Sequence, residues 1–555
     1  MIRPVPLFLC LALALGPGCG KRPQESTAGT PGTDITFSAS ADTVPCYDFV
    51  EVMLRLKDSV AGNPFTDAIV SGSFGEAGTR NEAAVDGFCD SPDGRVYRVR
   101  FMPTKPGGYT YLVTFHQGNL TRSYHGSFRA VDGARRGLVR VDPQHPWHFI
   151  WEGTDEHYFL NGTTAFFLMG WEDEQVIRDC ITRLRGLGIN RIRLLLDGRS
   201  GEYWTEPIRP GHGFQTQLLP WIARRPADVR DPGFDYTRFD CPYWQKFERM
   251  LRFARDNDVV ISVIFGFSDT DVRPAAGSEE ERRYFQYAAA RFAPFANVTW
   301  DLGDDLDAYR SDAWTHEMGT MLHRWDPYHH LATSHPRKNE HQDRTSTWFS
   351  MTSFQQWARP LHGWMLEQRR AQERAGRIIP QINEEYGYED HYPDWAPLKP
   401  PAASGDANRR AAWEMAMAGC YQTTGETAKR GTGVPPDTGG GWVNGRGDST
   451  MTMLHGYDHM ARFFTSLPWW DANPHDELVD RGYCLADPGH FYVVYLPGGS
   501  NVTLRLDTGR YEAKWFNPRS GAYGSRSVAV GPKWVSPAAP DAEDWVLLLK
   551  RMSAT

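Results

Sequence analysis

AFFLMGWEDEQVIRDCITRLRGLGINRIRLLL, residues 165–196, changes the rhythm of this chain. The apolar run FFLMG reads as a strand. EQVIRDCITRLRGLG then spaces its apolar residues at the helical period and stops at glycine, and NRIRLLL reads as a second buried strand. Two strands joined through a helix imply a parallel pair. The same step recurs downstream through YWQKFERMLRFARDND, VVISVIF, EEERRYFQYAAARFAP, NVTWDLG, SDAWTHEMGTMLHRWDP, HHLATSH, STWFSMTSF, GWMLEQRRAQERAG, RIIPQIN, NRRAAWEMAMAG and CYQTTGE, and LHGYDHMARFFTSL closes it. Eight such steps between residues 137 and 476 predict a (β/α)8 TIM barrel with enlarged loops. A doubly wound sheet is the other parallel option, but no GxGxxG follows the first strand.

Both flanks read differently. Residues 35–131 alternate apolar and polar positions in short runs (FVEVMLRL, RVYRVRF, YTYLVTF, SYHGSF) broken by turns such as PTKPGGY, which predicts an Ig-like β-sandwich. From residue 478, HFYVVYLP, NVTLRLD, YEAKWFNP and DWVLLLKR predict a second, smaller β-sandwich. Ahead of all this stands MIRPVPLFLCLALALGPGCGKRPQES. Arg3 precedes an apolar run, Leu7 to Leu15, too short to span a bilayer, so residues 1–19 read as an export signal. Gly16 to Cys19 resembles a bacterial lipoprotein cleavage box, with Cys19 as the lipidated residue and ordinary signal cleavage as the alternative. Residues 20–34, rich in Gly, Pro, Ser and Thr, read as a flexible linker. Together these place the protein in the periplasm, outer membrane or cell surface, touching the membrane only through its lipid.

The net charge of −8 comes without a basic block, so nucleic acid is not an expected partner. Aromatic residues make up 13%, with 20 Trp, and flat rings can stack on sugar faces as well as fill cores. Outside the leader, Cys46, Cys89, Cys180, Cys241, Cys420 and Cys484 remain. Cys46 and Cys89 share one small domain and could pair or stay as buried thiols. Neither the cysteines nor His329, His330, His335 and His341 match a metal-ligand spacing, so no metal or cofactor is expected.

The chemistry gathers where strands end. Catalytic groups of a TIM barrel sit on the C-terminal ends of its strands. NVTWDLGDDLD, residues 297–307, puts Asp301, Asp304, Asp305 and Asp307 at the end of the fourth strand. IIPQINEEYGYED, residues 378–390, puts Glu384 and Glu385 at the end of the seventh. Two opposed carboxyl groups are what glycoside hydrolysis needs, one protonated and one to attack or to activate water. Strand alternation lets one member of each adjacent pair face the axis, leaving its neighbour to loop amides or a sugar hydroxyl. Asp-rich strand ends also serve as turns, helix caps or calcium ligands, although EF-hand spacing is absent.

These motifs carry a resemblance. IIPQINEEYGYED and NVTWDLGDD resemble the seventh and fourth strands of glycoside hydrolase clan A, in its apiosidase-like branch. There the nucleophilic Glu is followed three and four places on by Tyr-Glu, which selects Glu385, with Tyr388 and Glu389 at those offsets. An Asp five places after the Trp is the general acid/base, which selects Asp305. LNGTTAFFLMGW, GINRIRLLL and HLATSHP resemble the first, second and fifth strands. The resemblance implies Arg193 near the nucleophile and His335 at the rim. Asp304, Glu384, Tyr388, Trp171 and Trp442 are the remaining candidates for substrate contact. VPCYDFVEVMLRL resembles an Ig-like domain of unknown function, and FYVVYLPGG with WFNPRSG a small domain labelled collagen-binding. What the resemblance implies is a retaining glycosidase acting on plant or algal polysaccharide or its side chains. A non-catalytic carbohydrate-binding surface lipoprotein is the competing reading, and an adhesin using the C-terminal domain a third.

Overall fold

Eight short strands run parallel in one sheet: β1 (Gly162–Thr164), β2 (Arg191–Leu195), β3 (Val260–Ile264), β4 (Val298–Asp301), β5 (Ala332–Thr333), β6 (Phe354–Gln355), β7 (Ile382–Glu385) and β8 (Tyr421–Thr424). They belong to a computed structural model that describes residues 34–59, 62–199, 213–228, 230–268, 272–389, 404–426, 441–447 and 452–553. The strand order is β5-β4-β3-β2-β1-β8-β7-β6. That is barrel order, and the sheet is curled, because side chains of β2 reach those of β4 and β7. Among the described residues the ladder does not run on from β5 to β6. That seam is stitched instead by the Ser350 N–H to Ala332 O (2.9 Å) and the Thr333 hydroxyl to Met351 O (2.8 Å).

Buried on both faces, these strands lose the alternation that marks an exposed one. The helices between them keep theirs. Helix α1 (Glu174–Gly186) buries Ile177, Cys180, Ile181 and Leu184, one stripe at i, i+3, i+4 and i+7. Asp173 caps it, its side chain accepting from Gln175 N. Ser278, Ser311 and Ser404 do the same for α3 (Glu279–Phe292), α4 (Asp312–Trp325) and α6 (Gly405–Met417), each cap worth about 1 kcal/mol. The other sheet-covering helices are α2 (Cys241–Asp256), α5 (His362–Arg374) and α7 (Met453–Thr465).

Three expectations need correction. FFLMG is not the first strand. β1 ends at Thr164, and Leu168–Gly170 is a 3-10 turn, with Phe166 N and Phe167 N bonded to Trp442 O and Val443 O rather than to a ladder. The step after β5 holds only the 3-10 turn Asn339–His341 in place of a helix. All six described cysteines are buried free thiols, so Cys46 and Cys89 do not pair.

Upstream, strands of a four-stranded sheet and a five-stranded sheet face each other between Ile35 and Val131. Phe74 stacks on Phe101 (4.8 Å) and Tyr97 meets Phe115 edge-on (5.1 Å) across the gap. A three-stranded antiparallel layer (Val139–Val141, Phe149–Trp151, His157–Tyr158) leads from there into β1. Downstream, a six-stranded antiparallel sheet begins at Asn473, five residues before the sequence-based boundary, with a two-stranded sheet beside it. Among the described residues no helix is long and apolar enough to cross a membrane. The leader, Cys19 and nearly all of the linker lie outside the described residues, as do residues 201–212 of the long Trp-, Pro- and Arg-rich stretch 201–235 after β2.

Candidate active site

β2, β4 and β7 each deliver charge to one end of the sheet. Arg191 and Arg193 alternate on β2 and both point inward, where they are buried. Arg191 Nη1 lies 2.7 Å from Glu384 Oε1, and Arg193 Nε 2.8 Å from Glu384 Oε2. Arg193 Nη2 also reaches Asp304 Oδ1 (3.2 Å) and Asp301 Oδ2 (3.4 Å). Glu384 is therefore wholly buried and clamped by two guanidinium groups. It is a structural counter-ion beneath the site, not the sugar or loop-amide ligand that alternation suggested.

Alternation fails here for a local reason. Phe354 of β6 pairs with Asn383, but the next residue, Gln355, pairs with Glu385. The ladder skips Glu384, and this bulge lets Glu384 and Glu385 both point inward. Glu385 then receives the Tyr388 hydroxyl on Oε2 (2.7 Å) and Gln355 Nε2 on Oε1 (2.8 Å). His335 lies on the floor, fully buried, instead of at the rim. Its Nδ1 meets the Ser353 hydroxyl at 2.8 Å, and its Nε2 lies 3.8 Å from Asp304 Oδ1 and 3.9 Å from Glu385 Oε2. Single donor atoms of Asp304, His335 and Glu385 all fall within 4.8 Å of one another. Asp305 follows in the left-handed region (φ 49°), a turn that carries it out of the buried row to a partly exposed position. There its Oδ2 accepts from the Ser268 hydroxyl (3.3 Å).

The electrostatics follow from a count. Asp301, Asp304, Glu384 and Glu385 face two guanidinium groups in a buried interior, and three of the four, Asp301, Asp304 and Glu385, hold their protons more tightly than isolated carboxylates do. Burial lifts Asp301 to about 6 against the pull of Arg193. Burial also lifts Asp304 well above the carboxylate range, and Asp305, Glu385 and Asp301 reinforce it. Glu385 is raised by burial too, while Tyr388, Arg193, Gln355 and Trp357 hold it back. His335 is held well below the ordinary imidazole value by burial and Arg193, so it is neutral.

The aromatic candidates divide. Tyr388 touches Glu385. Trp442 lies behind Tyr388, stacked on it at 4.2 Å and buried, so it backs the site instead of offering a bare face. Trp171 is packed away: its Nε1 bonds Asn444 O (2.7 Å) and its ring meets Phe214 and the Arg446 guanidinium. Sequence reasoning missed Gln355, although it too ends a strand, and it missed Arg191. Arg225 pairs with Asp231 on an exposed loop.

Three known families match along the chain. Residues 43–116 match "Domain of unknown function (DUF5060)", residues 214–427 "Apiosidase-like, catalytic domain", and residues 476–550 "Putative collagen-binding domain of a collagenase". The catalytic match includes Asp305 and Glu385 and begins after Arg193. No curated protein matches the chain. Among solved structures, a "putative glycoside hydrolase" from Bacteroides vulgatus is 20% identical, with TM-score 0.76 over 92% of this chain and 100% of its own. A glycoside hydrolase family 5 protein from the same organism is 15% identical, with TM-score 0.56 over 75% of this chain and 94% of its own. A third glycoside hydrolase is also 15% identical, with TM-score 0.56 over 76% and 98%. These likenesses show the fold. The three family matches, in that order along the chain, are the resemblance its motifs carry, and the apiosidase-like one supports glycosidase activity.

Proposed function

We propose that this protein is an exported retaining glycoside hydrolase that acts on plant or algal polysaccharide or its side chains. The reading rests on one observation above others: carboxylates from the ends of β4 and β7 converge, with oxygens of Asp304 and Glu385 within 4.8 Å and Asp305 next in the chain. Glu385 is the nucleophile. Its carboxylate attacks the anomeric carbon while Asp305, the partly exposed member of the acidic pair, protonates the leaving oxygen. Asp305 then takes a proton from the water that releases the glycosyl-enzyme. Asp304, whose hold on a proton is strengthened first by burial and then by Asp305, Glu385 and Asp301, keeps that proton beside Glu385 without taking the nucleophile's place, and Arg193 orients Asp304. We further read the curled sheet as a closed barrel whose β5–β6 seam is carried by side chains and single backbone bonds.

Aryl glycosides test the chemistry. Glu385→Gln should abolish their turnover, and Asp305→Asn that of substrates with poor leaving groups, while glycan binding survives in both. Retained turnover in Glu385→Gln sinks the assignment, and binding without turnover in the parent chain makes the protein a carbohydrate-binding lipoprotein. The leader reading is tested by labelling with a radioactive fatty acid, which should follow Cys19 and vanish in Cys19→Ser.

A further inference from the structure

On the layer that leads into β1, three potential metal donors meet. Asp142 Oδ2 lies 3.0 Å from His145 Nδ1 and 2.9 Å from His157 Nε2, and single donor atoms of all three fall within 4.8 Å of one another. The spacing, D-x2-H-x11-H, matches no sequence signature. It closes because strand pairing sets Ile150 opposite His157 and brings that strand back beside the turn at 142–145.

We propose that Asp142, His145 and His157 bind a divalent transition-metal ion, zinc by preference. The donor set is two imidazoles and one carboxylate, which suits zinc and not calcium or magnesium. Donors around tetrahedral zinc lie roughly 3.3 Å apart, so the two short edges need open by only a few tenths of an ångström. Each donor is already oriented. The second oxygen of Asp142 is held by the backbone N–H of Gln144 (2.8 Å) and of His145 (3.2 Å). The His157 ring lies flat on Trp470, centroids 3.7 Å apart and planes 3° from parallel. His145 turns its other nitrogen, Nε2, to Asp471 Oδ1 at 3.2 Å, the outer carboxylate that fixes the ring of a metal-bound histidine.

His157 Nε2 is buried and makes no hydrogen bond, although it lies within bonding distance of Asp142. Its length fits a hydrogen bond and its alignment does not. His145 and His157 keep 26% and 17% of their side-chain surface exposed, which gives an ion a way in. The bound ion would tie the layer before β1 to Trp469–Asp471, where the chain leaves the last sheet-covering helix.

The full-length chain, stripped with a chelator, is titrated with zinc chloride at neutral pH by calorimetry, with magnesium chloride as control. One zinc per chain should bind, with a rise in the unfolding midpoint, and magnesium should not. Asp142→Asn and His157→Gln should each lose that binding, and Asp471→Asn should weaken it about 10- to 100-fold. Glu385→Gln should bind as the parent does, which separates this site from the Asp304–His335–Glu385 group. The proposal is overturned if the parent chain takes up no zinc, or if stoichiometric binding persists in both Asp142→Asn and His157→Gln.

Discussion

The Tyr388 hydroxyl bond to Glu385 is the interaction here whose loss has the clearest sign. A donor favours the charged carboxylate, so removing it raises the pKa. A charge-assisted bond worth about 1.5–3 kcal/mol corresponds to roughly one to two pKa units. Tyr388→Phe should therefore move the acidic limb of the kcat/KM profile to higher pH by about one unit or more, with folding intact by circular dichroism. An unmoved limb would mean that Glu385 is not the ionisation seen. The two aspartates are separated by leaving group. If Asp305 is the acid, Asp305→Asn should lower kcat about 10²–10⁴-fold on substrates with poor leaving groups and far less on activated aryl glycosides. Asp304→Asn should lack that contrast. The proposed pair, Asp305 and Glu385, was singled out by resemblance through offsets from Trp300 and to Tyr388 that are local, and Arg193 through a strand motif that resembles a known one. Trp171 and His335 could not be placed, since whether a ring meets Asn444 or a serine hydroxyl is decided by residues far along the chain.

At the level of the element, the seventh strand is where pattern and structure part. Period two predicts that Glu384 and Glu385 face opposite ways, and one skipped residue in the β6–β7 ladder overrides it. No sequence pattern announces a bulge of this kind, whereas amphipathic helices such as α1 were legible to within a few residues because one face is wet. Its consequence is a buried carboxylate between two arginines. Glu384→Gln leaves Arg191 and Arg193 short of their shared counter-charge, and breaking a buried pair costs about 3–5 kcal/mol. Urea unfolding followed by tryptophan fluorescence should show that loss. Variant protein that still folds should retain turnover, because Glu384 does not touch the reacting atoms in our reading. A silent substitution would show that the arginines find compensation elsewhere, and lost turnover at full stability would return Glu384 to the candidates for chemistry.

Across the molecule, the first β-domain and the parallel sheet are joined by buried charge. Arg100 of the domain grips Glu248 of α2 through both oxygens (2.7 and 3.0 Å), Arg291 of α3 reaches the same carboxylate (2.7 Å), and Arg291 Nη2 returns to Asp90 of the domain (2.8 Å). Phe49, Phe88 and Phe295 lie close around the Arg100 guanidinium. Burial alone would raise Glu248, but Arg100 and Arg291 outweigh it and bring the carboxyl to about 2. An unfolded glutamate titrates near about 4.3, so this carboxylate adds stability that is complete above that value. The contribution drains away as pH falls toward about 2, where the folded form also takes up a proton. Glu248→Gln removes the negative charge and strands two buried guanidinium groups. It should cost about 3–5 kcal/mol at neutral pH. It should also flatten the acid dependence of the unfolding midpoint between about pH 4 and pH 2, because this carboxyl no longer titrates there. Both effects should appear in the same urea series run across pH. A neutral-pH loss with an unchanged acid slope would mean that other carboxylates, not this joint, govern acid unfolding. No loss at either pH would mean that the remaining contacts, such as Arg255 to Asp48 and Tyr287 to Cys89 O, hold the domain to the sheet without this carboxylate.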